Sequence, residues 1–140
     1  MTPAMIDRAR SNAAKGGYTN VEFRLGEIEH LPVRDASVDV IVSNCVVNLS
    51  PDKRGVFAEA HRVLKPGGRM LLSDLVLERP LPPEIRESTE AYVGCIAGAS
   101  LRGEYVSMIR DAGFERVEVV AEGRYGTEPV TSIQVRAMKP

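Results

Sequence analysis

The chain has 140 residues, and its 18 basic and 19 acidic side chains give a formal net charge of −1 near neutral pH. This balance argues against nucleic acid as a partner, because no basic surface recruits a polyanion. The longest apolar run is far shorter than the ~18 residues that a membrane span needs, and the first ten residues carry charges with no apolar block behind them. We therefore expect a cytoplasmic protein, with residues 1–140 forming one domain and no membrane partner.

The first predicted elements are a helix and two strands. Thr2 and Pro3 form a typical helix start, a capping residue followed by a first-turn proline. Apolar residues then recur at helical spacing up to the glycines at 16–17. Residues 21–25 alternate between apolar and polar side chains, as strands do. Residues 38–42 are nearly all apolar and rich in β-branched side chains, which predicts a strand buried on both faces.

Helices and strands continue to alternate downstream. Further helices are predicted between residues 50 and 68, around residues 84–93 and over residues 101–112. Further strands are predicted at residues 70–77, 114–121 and 131–138. The last two strands are expected to form a closing antiparallel pair. The alternation as a whole indicates an α/β fold, a mostly parallel sheet with helices on both faces.

The two cysteines, Cys45 and Cys95, are fifty positions apart (95 minus 45). Because the chain shows no secretory signal, they are expected to be free thiols or ligands rather than a disulfide. A pair of thiolates suits a soft, thiophilic substrate. The alternative is that each cysteine is simply a small buried hydrophobic residue.

Four motifs follow one another along the chain: residues 26–32 (GEIEHLP), 37–44 (SVDVIVSN), 63–69 (VLKPGGR) and 112–114 (AGF). Together they resemble consecutive motifs of the Rossmann-like methyltransferases that use S-adenosylmethionine. Residues 44–50 (NCVVNLS), with the second cysteine fifty positions later, are similar to arsenite methyltransferases. The resemblance implies the C-terminal part of a class I methyltransferase domain, a doubly wound mostly parallel sheet with a C-terminal antiparallel strand pair.

Two features of that family do not occur in this sequence: the first two strands, and the glycine-rich loop that binds the methyl donor. The first strand is central in the family's sheet, so strand 38–42 is predicted to have an exposed edge. Unpaired strand edges invite pairing with another chain. We therefore expect either a homo-oligomer through this edge or a rebuilt sheet in which residues 21–25 pair beside residues 38–42.

The resemblance also implies site residues. Cys45 and Cys95 would be the ligands of As(III) and the catalytic residues. Four residues would contact the donor S-adenosylmethionine: Met1 and Ile28 at the adenine faces, Glu29 at the adenine amine, and Asn44 near the methionine part. For Glu29 the alternative is a solvated loop carboxylate. A thiol such as glutathione is a candidate co-substrate.

The function implied is methyl transfer from S-adenosylmethionine to thiol-bound As(III), with arsenite or its thiol conjugate as the small-molecule substrate. Only two histidines are present, and a site poor in bases suits a soft nucleophile that needs orientation more than proton removal. Two alternatives stay open. One is a C- or O-methyltransferase acting on a small organic molecule, and the other is a thiol-based metalloid-binding fragment without catalysis.

Several other polar and sulfur-containing residues are interpreted as structural. Asn48 is interpreted as a turn residue that bonds its own backbone, with a functional role as the alternative. Asp39 and Asp74 lie inside predicted buried strands and are expected to need partners, because burying an unpaired charge is costly. Three methionines are assigned to core packing: Met5, Met70 and Met108.

Overall fold

A computed structural model describes residues 2–93, 95–126 and 129–140. The helices over these residues are α1 (Pro3–Lys15), α2 (Lys53–Val63), α3 (Pro83–Arg86), α4 (Thr89–Val93) and α5 (Arg102–Asp111). The strands are β1 (Val38–Asn44), β2 (Leu64–Leu77), β3 (Glu115–Arg124) and β4 (Val130–Met138), and a 3₁₀ helix spans Val47–Leu49. Among the helices of this described part, none is long and apolar enough to cross a membrane.

The four strands form one mixed sheet in the order β1-β2-β4-β3. β1 and β2 pair in parallel, joined by α2 as the crossover, whereas β4 pairs antiparallel with both β2 and β3. The α/β class and the closing antiparallel pair are therefore confirmed. Parallel pairing is rarer than predicted, one pairing of three, because β4 lies between β2 and β3 and runs antiparallel to both.

Local sequence signals explain where the two longest helices begin. The Thr2 hydroxyl accepts a hydrogen bond from the Met5 amide at 3.3 Å, and Pro3 occupies the first turn of α1. At α2 the Asp52 carboxylate accepts from the Gly55 amide at 2.9 Å. Both starts agree with the prediction, since capping side chains satisfy amides that have no partner inside the helix.

The single helix predicted around residues 84–93 is two short helices, α3 and α4. The break falls at Ser88, whose hydroxyl accepts a hydrogen bond from the Ala91 amide at 3.3 Å. A serine that caps a helix start competes with continuation of the preceding helix. The interruption therefore follows from one local hydrogen bond.

The strand predicted at residues 21–25 is wrong, and so is its pairing beside residues 38–42. This segment has no regular secondary structure. It is held instead by arginines, with Arg10 donating to the Phe23 carbonyl at 3.0 Å and Arg24 donating to the Pro32 carbonyl at 2.9 Å. A strand needs a neighbour for its backbone groups, and within the described chain none lies beside this segment. Self-association through the β1 edge stays a prediction.

β1 is not buried on both faces, which corrects the prediction. Val42 is 76% exposed, and its partner across the β2 pairing, Leu71, is also exposed. Only the opposite face is covered by α2 and α5, and β1 is the last strand on its side of the sheet. Asp39, expected to be buried, is exposed for the same reason and forms an ion pair with Lys65 at 2.9 Å.

Two apolar clusters lie on the sheet. The main core, under α2 and α5, contains the aromatic edge contact between Phe57 and Tyr105, with ring centroids 5.5 Å apart. The smaller cluster, called here the thiol cluster, consists of buried Leu75, Leu77, Cys95 and Val130 with Cys45 packed against it. The packing role predicted for methionines is confirmed for two of them, Met70 and Met108. It is wrong for Met5, which is 57% exposed.

Candidate functional site

Cys45 and Cys95 lie side by side although fifty residues separate them. Cys45 directly follows β1, where its amide donates to the Ser73 carbonyl at 2.8 Å. Cys95 lies just beyond α4, and its thiol donates to the Cys45 carbonyl at 3.1 Å. Both thiols are free rather than disulfide-bonded, and each affects the pKa of the other. The site is therefore a thiol pair at the carboxyl end of a parallel strand, the place where open α/β sheets bind ligands.

Both cysteines have an unusual backbone conformation. Their φ angles are 53° at Cys45 and 63° at Cys95, in the left-handed region. This region costs a non-glycine residue on the order of 1 kcal/mol or more, and it persists only where the surroundings impose it. The turns that carry the two thiols are thus fixed by their packing.

The pKa values of both thiols are raised. Burial is the main cause in each, and the negative charge of the Asp74 carboxylate adds to it. Their interaction with each other raises the pKa of Cys45 further and lowers that of Cys95. Near neutral pH the pair therefore consists of protonated thiols.

Asp74, on β2, is the carboxylate whose charge acts on both thiols. Its carboxylate accepts a hydrogen bond from the Tyr105 hydroxyl at 2.8 Å through Oδ2. Within the described residues, the other oxygen, Oδ1, is buried without a hydrogen-bond partner. Burial raises the pKa of Asp74 to about 6, opposed by the Tyr105 hydrogen bond and by the positive charge of Lys53. The prediction that Asp74 is buried and needs partners is confirmed, and one of its oxygens has none among the described residues.

Two partners of Asp74 were missed by the sequence analysis. Tyr105 lies in α5 among apolar residues, where a core assignment is the natural one, and it is fully buried in the main core. Lys53 opens α2, and burial lowers its pKa. Its ammonium group donates to the Ser50 carbonyl at 3.4 Å. Neither residue belongs to a recognisable motif, so no signal in the sequence marks them as neighbours of the thiols.

Asn48 does not bond its own turn, which corrects the structural interpretation made from the sequence. Its side-chain amide donates to the Leu75 carbonyl at 2.7 Å and to the Cys95 carbonyl at 3.5 Å. It is 1% exposed. The residue therefore links the 3₁₀ helix after Cys45, the end of β2 and the turn that carries Cys95.

A cavity of about 710 Å³ is lined in part by Ile28 and Glu29, and their contact with the adenine of the donor stays a prediction. Its wall also includes Val46, which directly follows Cys45. Glu29 is half-buried and accepts a hydrogen bond from the Ser50 hydroxyl, so it is not a freely solvated carboxylate. Exposed Met5 of α1 forms another part of the wall.

The other two predicted donor contacts are Asn44 and Met1. Asn44 is exposed at the end of β1, beside Cys45, and is not among the residues that line the cavity. Met1 lies outside the described residues. In the structure Cys45 lies beside Cys95, and Ile28 and Glu29 line one cavity. Asn44 directly precedes Cys45 in the chain and does not line that cavity.

The thiol pair is not part of a larger ligand cluster. In residues 2–93, 95–126 and 129–140, no three histidine, cysteine, aspartate or glutamate side chains are grouped so that they could hold a metal ion. The described site therefore contains two thiols and no larger group of such side chains.

Comparison with curated proteins finds arsenite methyltransferases. The one from Halobacterium salinarum is 53% identical over 119 residues, which are 85% of this chain and 30% of that protein. The one from Aquipseudomonas alcaligenes is 43% identical over 114 residues, 79% of this chain and 33% of that protein. The chain therefore spans about a third of the length of these relatives.

Comparison with solved structures supports the Rossmann-like fold. The crystal structure of an arsenic(III) S-adenosylmethionine methyltransferase from Chlamydomonas reinhardtii superposes with a TM-score of 0.83 at 32% identity. The match covers 99% of this chain and 52% of that one. The predicted resemblance is thus confirmed. Residues 1–113 match the profile of a family described as a methyltransferase domain, and this chain belongs to that family.

Proposed function

We propose that this chain carries the substrate site of an S-adenosylmethionine-dependent arsenite methyltransferase, in which Cys45 and Cys95 bind As(III). One observation carries the proposal: the Cys95 sulfur lies 3.1 Å from the Cys45 carbonyl oxygen, so the two cysteines are in direct contact although fifty residues separate them. As(III) is a soft centre, and soft centres favour sulfur ligands. Two thiols held side by side can therefore bind one As(III) at two points.

The raised pKa values of the thiols are compatible with this binding. Arsenite in neutral water is As(OH)₃, and its condensation with two thiols forms two As–S bonds and breaks two As–O bonds. The two thiol protons leave with the two hydroxides as water. Protonated thiols are thus the form that the balanced reaction consumes, and no thiolate needs to exist beforehand.

The cavity lined by Ile28, Glu29 and Val46 suits the adenine end of S-adenosylmethionine. Its volume of about 710 Å³ lies within the range of roughly 300–1,000 Å³ that is usual for small-molecule sites. Ile28 offers an apolar surface to the ring. Glu29 offers a carboxylate that has room for several hydrogen bonds, and Ser50 donates one of them. Met1 and Asn44 are proposed as further contacts. When bound, the donor supplies a methyl group on a sulfonium centre.

In the methyl transfer, the main contribution of the protein is then to orient the arsenic relative to the donor's methyl group. Arsenic offers a lone pair and has no proton to lose, so the site needs no general base at the metalloid. Holding a nucleophile in line with its target is worth up to about 7–11 kcal/mol of a reaction barrier. Cys45 and Cys95 would supply that orientation, and Val46 joins their turn to the donor cavity.

Arsenite titration of the whole chain, followed by calorimetry or by near-ultraviolet sulfur–arsenic absorbance, tests the proposal. The chain has no tryptophan and no third cysteine, so the absorbance background is low and each thiol can be removed singly. Cys45→Ser and Cys95→Ser should each weaken arsenite binding about a hundredfold or more, since two-point attachment becomes single.

The matched control is Ser43→Ala, which alters a half-buried side chain two residues from Cys45 and leaves both thiols. It should bind arsenite like the wild type. Wild-type affinity in both serine variants would contradict the proposal and favour a methyltransferase acting on carbon or oxygen of an organic molecule.

A second candidate is thiol-based metalloid binding without catalysis. It is favoured because both proposed sulfur ligands lie in this chain and in contact with each other. Titration with S-adenosylmethionine separates the candidates. Micromolar affinity supports the methyltransferase, and millimolar affinity, weaker by about 4 kcal/mol, supports the binder.

A further inference from the structure

Asn48 is the residue through which the two cysteine turns are connected. The 3₁₀ helix that contains it begins at Val47, two residues after Cys45. Its side-chain amide donates to the Leu75 carbonyl at 2.7 Å and to the Cys95 carbonyl at 3.5 Å. One buried side chain therefore joins the Cys45 turn to the backbone of Cys95 and to β2.

The second turn is also pressed against the backbone of Asn48. A Cβ atom at Gly98 would lie 2.0 Å from the Asn48 carbonyl oxygen, a separation that no side chain tolerates. Glycine is therefore required at this close approach. The contact shows that residues 95–98 and the 3₁₀ helix are packed as one unit, with Asn48 in contact from both its backbone and its side chain.

Unfavourable local features of the described chain are concentrated here. Its buried side-chain oxygens without a hydrogen-bond partner are Oδ1 of Asn48 and Oδ1 of Asp74. Cys45 and Cys95 are two of its four non-glycine residues with positive φ. Each such feature costs stability, and their accumulation at one place is typical of a site where function imposes the geometry.

We propose that Asn48 is a positioning residue that holds Cys45 and Cys95 at the separation needed for two-point binding of As(III). The inference rests on the proposed function, because it concerns the same thiol pair. Asn48 does not touch the substrate. By holding the Cys95 carbonyl, it keeps the second thiol at a high effective concentration beside the first. Once the amide is removed, the two turns are free to separate, and binding at both thiols weakens more than the reactivity of either one.

Two variants test the inference in the whole chain. Asn48→Ala removes both donated hydrogen bonds, and Asn48→Leu removes them while keeping nearly the same volume, so that one folded variant is available if alanine leaves too large a cavity. The arsenite dissociation constant should rise about tenfold or more in both. The rate of alkylation of the thiols by iodoacetamide, which needs only one sulfur, should stay at or above the wild-type rate.

The control for general destabilisation is Ile109→Ala, a truncation in the main core on the other side of the sheet from Cys95. It should lower the melting temperature without changing the arsenite dissociation constant while the protein is folded. The inference is overturned if Asn48→Leu binds arsenite within twofold of the wild type, or if Ile109→Ala loses as much affinity as the Asn48 variants.

The test also separates this inference from the function on which it rests. Loss of arsenite binding in the cysteine variants combined with wild-type binding in both Asn48 variants overturns the positioning role alone. Arsenite binding that does not depend on either cysteine overturns both proposals together.

Discussion

The two clusters on the sheet differ in how they are built, although β2 contributes to both. Its Met70, Leu72 and Val76 enter the main core, which is closed by α2 and α5. Leu75 and Leu77 enter the thiol cluster, which is smaller and is bordered by strained turns and an unpaired Asn48 oxygen. Alternation along one strand thus separates a region optimised for packing from a region that tolerates unfavourable geometry. Substitutions in the two regions should affect stability and arsenite binding differently.

The largest expected effect on stability belongs to the main core. Phe57 is fully buried and contacts the Tyr105 ring edge-on. Phe57→Ala should lower the free energy of unfolding by about 3–5 kcal/mol, from lost apolar burial and the cavity that remains. Chemical denaturation measures the loss. Arsenite affinity, measured where the variant is still folded, should be unchanged, and a parallel loss of affinity would show that the two clusters are not independent.

Asp74 is the residue at which the two regions meet, since it pairs with Tyr105 of the main core and its charge acts on both thiols. Its pKa is raised from 3.8 to about 6. The folded state thus holds the proton more tightly than the unfolded state. The carboxyl group is neutral in both states below about pH 4, and stability falls as pH rises from there through about 6. Above about pH 6 the loss of folding stability reaches its full value of roughly 3 kcal/mol.

Asp74→Asn tests the assignment of this pH dependence, because the asparagine amide has nearly the shape of the carboxyl group and cannot ionise. The unfolding free energy of the wild type minus that of the variant should fall by up to about 3 kcal/mol between pH 4 and pH 7.5. Denaturation curves at several pH values give the difference. Tyr105→Phe is the companion variant. It removes the hydroxyl that stabilises the ionised carboxylate, so the fall in stability should extend to higher pH and become larger. A pH-independent difference between wild type and Asp74→Asn would contradict the assignment.

Much of the fold could be predicted from the sequence because its signals are local. Capping at Thr2 and Asp52, and apolar periodicity in α2 and α5, act within a few residues. The errors occurred where structure depends on a distant neighbour. Residues 21–25 have a strand pattern, but a strand forms only beside a partner. Likewise, the apolar run of β1 indicates what could be buried, whereas Val42 is exposed because nothing covers it.

The same distinction applies to the site. The motif resemblance was enough to place Cys45 near Cys95, and to place Ile28 and Glu29 at one ligand pocket through the string at residues 26–32. Asn48 was recognised as polar in the right motif, but its partners lie 27 and 47 residues away. Tyr105 pairs with Asp74 across 31 residues. Side-chain contacts over such separations leave no periodic signal in a single sequence.

The smallest expected effect concerns the charged rim next to the thiol cluster. Arg102, at the start of α5, donates to Glu78 at 2.7 and 2.9 Å and to Glu122 at 2.7 Å, so one guanidinium joins two carboxylates. Arg102→Ala should cost about 1 kcal/mol, the upper end for ion pairs at a protein surface, and less in high salt, which screens exposed charges.

Arg54→Ala is the matched control for this last change. Arg54 forms a single, more exposed pair with Asp111 at 2.8 Å, and its removal should cost at most a few tenths of a kcal/mol. Denaturation at low and high salt compares the two arginines. Because Leu101, directly before Arg102, packs against the thiol cluster, arsenite affinity is the informative second measurement. If the arsenite affinity of Arg102→Ala changes less than twofold, buried contacts such as those of Asn48 hold the thiols together. A larger change would show that the ion pairs of Arg102 do so.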